Sequence, residues 1–306
     1  MTEESVTFES GGVLLAGSFL DTASPVAAAL LLPGSGRTDR NSDAKLAGPM
    51  WLRAGITRAI AGTLASAHVC SLRYDRRGVG ASGGDYLTAG MGERFADVQA
   101  ALRWLARRCP GLPLLAVGHS EGCYYAARLA ADGQVAGAAL LSGSPRTGDE
   151  VLAWQMKQIA GRLPRATTLV VRLLRIDVVK AQRRNQDKIM ASSADVMRLQ
   201  GTRVNARWVR DFVRYDPAPV LARVRVPVLA LTGGHDMQVP PDDVNATGKL
   251  VRGPFEGQVV GDLSHLLRPD PDWAGPRGYR RRVRQPVSPE LLELIAGWVT
   301  RQWGQP

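Results

Sequence analysis

Residues 112–131 constrain this chain more tightly than any other stretch. An apolar run at 112–117 leads into Gly118-His119-Ser120-Glu121-Gly122, and residues 123–131 can continue as a helix. A serine between two glycines at a strand-to-helix turn has one demanding geometry. Strand and helix approach so closely that side chains at the glycine positions would collide, and the serine Oγ is pushed out at the carboxyl end of a sheet. This setting calls for a sheet with helices packed on it, and it presents a nucleophile.

The rest of the sequence supplies such a sheet. Short apolar runs at 26–32, 69–74, 112–117, 135–141 and 226–232 alternate with helical stretches at 50–67 and 93–108, the rhythm of a mostly parallel, helix-covered sheet. Residues 6–9 and 13–20 flank Ser10-Gly11-Gly12 and read as an antiparallel hairpin. A final strand is expected at 255–260. A closing helix at 291–298 is opened by Ser288-Pro289-Glu290, with serine as cap and proline at the first helical position.

Between 144 and 217 the strand rhythm stops. Stretches 149–163 and 189–214 carry amphipathic helical patterns, and Pro217 and Pro219 return the chain to the sheet. The expected organisation is a core begun by 1–145, an inserted helical cap at 146–217 and a core completed by 218–306. Residues 268–286, rich in Arg, Pro and Gly, are expected to form a long surface loop.

Charge narrows the partners. The 306 residues carry a net +11, and nearly all of it lies in 146–225, where 17 basic residues face 7 acidic ones. A second basic cluster comprises Arg277, Arg280, Arg281, Arg282 and Arg284. Neither has the aromatic interleaving of a nucleic-acid module, so no nucleic-acid partner is expected. The leading reading of the basic segment is a solvated surface, with attraction of a small-molecule acyl substrate that is anionic or carrier-bound as the alternative.

Cys70, Cys109 and Cys123 are odd in number and lie in or beside core elements, which favours reduced thiols. Met1-Thr2-Glu3-Glu4-Ser5 lacks the pattern of a secretory leader, and no apolar run is long enough to span a bilayer. A cytoplasmic enzyme is expected.

A serine nucleophile at neutral pH needs a base, and four histidines are available. His119 lies inside the turn and should pack beneath it; His68 precedes a strand at the opposite sheet edge; His235 sits beside Asp236. His265, in a loop after the last strand, is the best-placed base. Asp236, just beyond the end of 226–232, suits the acid that orients that imidazole, with Asp242, Asp243 and Asp262 as competitors. The chain order Ser120, Asp236, His265 is the one found when this constellation is built on an α/β-hydrolase sheet. Donors for a developing oxyanion are expected from the backbone N–H groups of Glu121 and of Ser35, the latter in Gly34-Ser35-Gly36. No cofactor or metal is expected, because the histidines lack ligand spacing and the glycine turn lacks the Lys-Ser/Thr of a phosphate loop.

These motifs make the chain resemble the α/β-hydrolase superfamily, in its serine-aminopeptidase-like branch of esterases and lysophospholipase-like proteins. The likeness rests on Gly34-Ser35-Gly36 with Asp39-Arg40, on 73–82 (RYDRRGVGAS) and on Gly118 to Gly122. It continues through Pro227-Val228-Leu229-Ala230-Leu231, Gly234-His235-Asp236, Val239-Pro240 and Ser264-His265. It implies an α/β fold with a central, mostly parallel eight-stranded sheet, helices on both faces and a helical cap. It also implies Ser120 as nucleophile, His265 as base, Asp236 as acid, Ser35 and Glu121 as oxyanion donors, and Asp39, Arg40 and Arg76 as braces around the site. The leading expectation is hydrolysis of a small or medium acyl ester or thioester through an acyl-enzyme. Acyl transfer to an alcohol, amine or thiol shares the first half of that chemistry. An aminopeptidase or amidase would need an acidic anchor, with Glu150, Asp177, Asp187 and Asp195 as candidates. A non-catalytic binding protein of the same fold is the remaining alternative.

Overall fold

In chain order the elements are β1 (Thr2–Ser10), β2 (Val13–Asp21), β3 (Ala27–Leu32), β4 (Asp43–Lys45), β5 (Trp51–Arg53), α1 (Ile56–Ser66), β6 (Val69–Tyr74), α2 (Met91–Arg108), β7 (Leu114–His119), α3 (Glu121–Ala131) and β8 (Gly137–Leu141). There follow α4 (Gly148–Gly161), α5 (Val178–Ala191), β9 (Val196–Leu199), β10 (Thr202–Asn205), α6 (Ala206–Arg214) and α7 (Ala218–Leu221). The chain ends with β11 (Val228–Gly233), α8 (Asp243–Leu250), β12 (Phe255–Val260), α9 (Tyr279–Arg282) and α10 (Pro289–Trp303). The computed structural model describes residues 1–45, 51–162, 178–275 and 278–304.

Eight strands form one sheet in the order β1-β2-β6-β3-β7-β8-β11-β12. The β1–β2 and β2–β6 pairs are antiparallel, and every later pair is parallel. Successive strand residues face opposite sides, so the apolar run of β3 feeds two cores at once. Ala28, Leu30 and Leu32 join the cluster under α2 and α3, whereas Ala27, Ala29 and Leu31 join the one under α1 and α10. A strand covered on both faces must be apolar throughout, and all six residues of β3 are buried. The expected α/β sheet with helices on both faces and inserted helical elements is therefore the observed one.

Three expectations need correction. The helical stretch at 50–67 is shorter, because Trp51–Arg53 is a strand paired with Asp43–Lys45 and the helix starts at Ile56; Met50 lies outside the described residues. The stretch at 189–214 is not one helix. A hairpin of β9 and β10 interrupts it, turning at Gln200 and Gly201, which both have positive φ (49° and 81°). Two consecutive left-handed residues make a turn that matches strand twist and cannot continue a helix. Finally, 268–286 is not a surface loop throughout, since Arg268, Asp270, Tyr279 and Arg282 are buried. Their polar groups are met internally: Arg282 pairs with Asp270 at 3.1 Å, and Arg268 donates to the carbonyls of Gln285, Leu266 and Ala54.

Among the described residues no helix is long and apolar enough to cross a membrane. The closing helix is capped as its sequence implies, with Ser288 Oγ accepting from the Leu291 N–H and proline at the helix start. Its Trp298 is 1% exposed and meets Trp303 edge-on at 5.0 Å. Replacing Trp298 with alanine is expected to cost about 3–5 kcal/mol, read as a lower urea midpoint; a loss below about 1 kcal/mol would mean that α10 does not anchor this face.

Candidate active site

Ser120 ends β7 and precedes α3 with φ 53° and ψ −118°, a backbone state that a non-glycine residue holds only when its surroundings enforce it. The enforcement is visible at both glycines. A β-carbon on Gly118 would stand 2.3 Å from the Gly122 carbonyl oxygen, and one on Gly122 would stand 2.2 Å from that of Leu32. The Ser120 N–H donates to the Leu141 carbonyl at 2.9 Å, pinning the turn to β8.

His265 and Asp236 come together. Nδ1 of His265 lies 2.8 Å from Oδ2 and 3.1 Å from Oδ1 of Asp236, and both side chains are buried. Nδ1 therefore carries the proton shared with the carboxylate, which leaves Nε2 as the free ring nitrogen. Asp236 Oδ1 also accepts from the backbone N–H groups of Gln238 (2.7 Å) and Val239 (3.0 Å). Burial by itself would raise the Asp236 carboxyl, but the imidazole and these donors outweigh it and hold it below its ordinary value.

The competing acids are elsewhere. Asp243 is engaged by Ser144 and Arg146, Asp242 precedes α8, and neither they nor Asp262 bond His265. His235 donates through Nδ1 to the Asp270 carbonyl, and the exposed His68 contacts the Ala23 carbonyl.

His119 holds the base loop to the nucleophile turn. Its Nε2–H donates to the His265 backbone carbonyl at 2.9 Å, and the two rings lie 5.0 Å apart. Gly34 closes the third side, its missing side chain leaving room for His119 Nδ1 and Ser120 Cβ, which would stand 3.1 and 3.2 Å from a β-carbon there. The loop after β3 is braced by Arg40, whose Nη2 meets Asp75 at 2.7 Å, while Asp39 Oδ1 accepts from the N–H groups of Asn41 and Asp43.

Ser35, Ser120 and Glu121 line one cavity of about 70 Å³. Its far wall comes from the segment between β8 and β11: Val151, Leu152 and Gln155 of α4, and Trp208 and Phe212 of α6. The seat of α6 is set by Asn205, which caps the helix by accepting from the Trp208 N–H and donates to the Tyr86 and Ala89 carbonyls. At the other end, Arg162 after α4 lies 4.4 Å over the ring of Trp273, which stacks on His235 at 4.4 Å.

Sequence reasoning missed three contributors. Arg268 is buried next to the His265 loop and bonds only backbone carbonyls, with Ser264 returning two bonds to its own carbonyl. Trp208 reaches the Glu121 carboxylate through Nε1 at 3.0 Å. Arg94 reaches the same carboxylate at 3.0 Å. None of these has a local signal; Asn205 could have marked where α6 begins, but not that it begins beside the site.

A strained serine at a strand-to-helix turn, set on this sheet with an Asp–His pair beside it, defines an α/β-hydrolase. Residues 52–262 match the family described as serine aminopeptidase, S33, and the chain belongs to that family of serine-dependent hydrolases. Esterase EstD of Thermotoga maritima is 23% identical over 279 residues, covering 90% of this chain and 63% of EstD, so the chain spans less than two thirds of that relative. Among solved structures, the alpha/beta hydrolase GrgF from Penicillium superposes with a TM-score of 0.66 at 16% identity, covering 100% of both chains. Est1E from Butyrivibrio proteoclasticus, with ferulic acid bound, gives 0.61 at 16% identity and 97% of each. At those identities the likeness is one of fold.

The buried His119 makes the site acid-sensitive. Burial, helped by the neighbouring His265, pushes its pKa from 6.5 down to about 3. Between those values the unfolded chain binds a proton that the native chain refuses, so this contribution to stability is complete above pH 6.5 and is lost as pH falls toward 3. His119→Gln, which keeps a donor for the His265 carbonyl, should flatten the fall of Tm between pH 7 and pH 4. Parallel Tm profiles for the two proteins would rule this out.

Proposed function

We propose that the protein is a serine hydrolase that cleaves a small acyl ester or thioester through a covalent acyl-enzyme. The observation that carries this reading is the His265–Asp236 contact, held against the Ser120 turn by the His119 bond to the His265 carbonyl. Ser120 Oγ attacks the acyl carbonyl while His265 Nε2 takes its proton, and Asp236 stabilises the resulting imidazolium. The N–H groups of Ser35 and Glu121, on two sides of the same cavity, receive the oxyanion. His265 then protonates the leaving group, and water repeats the sequence to release the acid.

The pocket argues for the acyl group. Apolar Val151, Leu152, Trp208, Phe212 and Val239 share a space of about 70 Å³ with polar Ser142, Gln155 and Gln238, and its size suits the small end of the expected range. Among the described residues none of those lining it is a lysine or arginine, so the described part of the basic segment places no cation beside Ser120. A charged feature of the substrate would belong to the leaving group or a carrier. We further propose that 146–217 acts as the cap, since α4 and α6 roof the cavity.

The aminopeptidase alternative is disfavoured on chemistry. Among the described residues Glu121 is the one acid lining the cavity, and its carboxylate is fully engaged by Arg76, Arg94, Tyr125 and Trp208. Glu150 caps its own helix, Asp187 pairs with Arg183, and Asp195 faces Arg207 and Arg210; Asp177 lies outside the described residues. A cytoplasmic setting is supported by the free thiols of Cys70 and Cys109, whose sulfurs lie 3.3 Å apart.

Mass spectrometry of the protein with mixed esters, thioesters and amides, with and without acceptor alcohols and amines, tests the reading. The wild type should carry an acyl adduct that Ser120→Ala lacks, and kcat should fall about 10⁶-fold in Ser120→Ala and about 10⁴-fold in Asp236→Asn. Equal turnover by wild type and Ser120→Ala would sink the assignment, and acceptor esters or amides in place of free acid would make it a transferase. Across p-nitrophenyl esters, kcat/KM should drop at least about tenfold from butyrate to decanoate, a difference of the size that pocket fit alone supplies. A rising series would refute the small pocket.

A further inference from the structure

The two backbone donors assigned to the oxyanion belong to different elements. Ser35 lies in the loop that leaves β3, and Glu121 opens the first turn of α3. Register between β3 and β7 runs only to the pairing of Leu32 with Gly118, so strand hydrogen bonds stop short of both donors. A hole of this kind works only if the donors keep a fixed separation, because displacement of about 1 Å costs about 100-fold in rate.

Arg76 spans that gap. It is 7% exposed, and its single guanidinium donates through Nη1 to Glu121 Oε2 at 2.8 Å and through Nη2 to the Pro33 carbonyl at 2.7 Å. One end therefore grips the backbone two residues before Ser35, and the other grips the side chain of the residue that carries the second donor. The guanidinium is planar and rigid, so the two grips are held at a set distance. Lysine, a point charge on a flexible stem, cannot reproduce this.

The Glu121 end is itself immobilised. Oε1 accepts from Tyr125 Oη at 2.6 Å, Arg94 Nη1 at 3.0 Å and Trp208 Nε1 at 3.0 Å, and Oε2 accepts from Arg76 and again from Arg94 at 3.2 Å. Burying such a cluster contributes little stability compared with apolar packing, which points to a role in placement. Arg94 also lies over the faces of Tyr86 and Trp208, 4.9 and 5.3 Å from their ring centroids. Trp208 belongs to α6, so the anchorage reaches across the cavity to its roof.

Resting on the acyl-transfer reading of Ser120, we propose that Arg76 and Glu121 are positioning residues for the transition state. Their ion pair ties the Ser35 and Glu121 donors into one rigid unit, and Trp208 makes that unit depend on the seating of α6. The pair acts on the tetrahedral state and not on ground-state binding. Its loss should lower kcat and leave KM nearly unchanged.

Arg76→Met, Arg76→Lys, Glu121→Gln, Trp208→Phe and the Arg76→Met/Glu121→Gln double variant are compared on p-nitrophenyl butyrate. Affinity is measured for a trifluoromethyl ketone of matching chain length, which forms a tetrahedral adduct with the serine. Arg76→Met and Glu121→Gln should each lose about 10- to 100-fold in kcat and a matching factor in ketone affinity, with KM within about twofold of wild type. Arg76→Lys should not recover the loss, and the double variant should be no worse than the poorer single one, as expected for residues acting as a unit. Trp208→Phe, which keeps a ring and removes the donor, should lose about fivefold in ketone affinity, within the range of one hydrogen bond.

Wild-type ketone affinity with a lowered Tm would reduce the pair to an ordinary structural contact and overturn the proposal. So would full recovery by Arg76→Lys, which would make charge alone sufficient. Should Arg76→Met fail to fold, Arg76→Lys and Glu121→Gln carry the same comparison. Ser120→Ala is run first on the same ester: unchanged turnover there refutes the nucleophile, whereas loss of turnover there with intact Arg76 variants refutes only the positioning role.

Discussion

The close approach between the start of α3 and the end of β3 governs the rest of the site. No side chain fits at Gly122 against the Leu32 carbonyl, so helix and strand sit at the minimum separation that backbone atoms allow. That closeness leaves Ser120 in a conformation it would not otherwise adopt. It also brings the loop after β3 alongside the first turn of α3, which is why Ser35 and Glu121 share a cavity although 86 positions separate them in sequence. Hydrogen bonds from Ser120 to β8 and from His119 to the His265 loop then lock the turn from two further directions.

Much of this was legible in the sequence because it is encoded locally. Glycine spacing around Ser120 reports a steric fact about five consecutive residues. Strand runs such as 69–74 and 255–260 match the observed elements residue for residue, since short runs rich in β-branched and aromatic residues between turn signals favour strands. Asp236 and His265 could be singled out because the carboxyl ends of the strands limit where a partner can stand, and they do meet. What escaped has no period. Arg268 reads as surface on composition, but backbone carbonyls satisfy its guanidinium in the interior, and carbonyls carry no sequence signature. Trp208 meets Glu121 across 87 positions, a contact fixed only when α6 is laid over the cavity. The β9–β10 hairpin was hidden by an amphipathic pattern around it, with Gln200 and Gly201 as the single local clue.

The basic segment also looks different in three dimensions. Arg183 engages Asp149, Arg207 engages Glu93, and Arg210 donates to the Ala194 carbonyl. These arginines fasten the segment to itself and to α2, so a formal excess of charge coexists with a cavity that, among the described residues, is lined by no cation. Net charge in a stretch of sequence describes the field around it, not the lining of a pocket beneath it.

The two ends of α4 are fastened by different physics. At its start Gly148 abuts the Phe212 carbonyl so closely that no β-carbon could be inserted, a contact that tolerates almost no relative displacement. Toward its other end Gln155 donates to the Gln238 carbonyl at 3.1 Å, and just past that end Arg162 lies over Trp273, which stacks on His235. The helix is thus wedged by backbone contact where it begins and tied by a side-chain hydrogen bond and stacked planes where it ends, so its far half is fastened to the loop that follows Asp236.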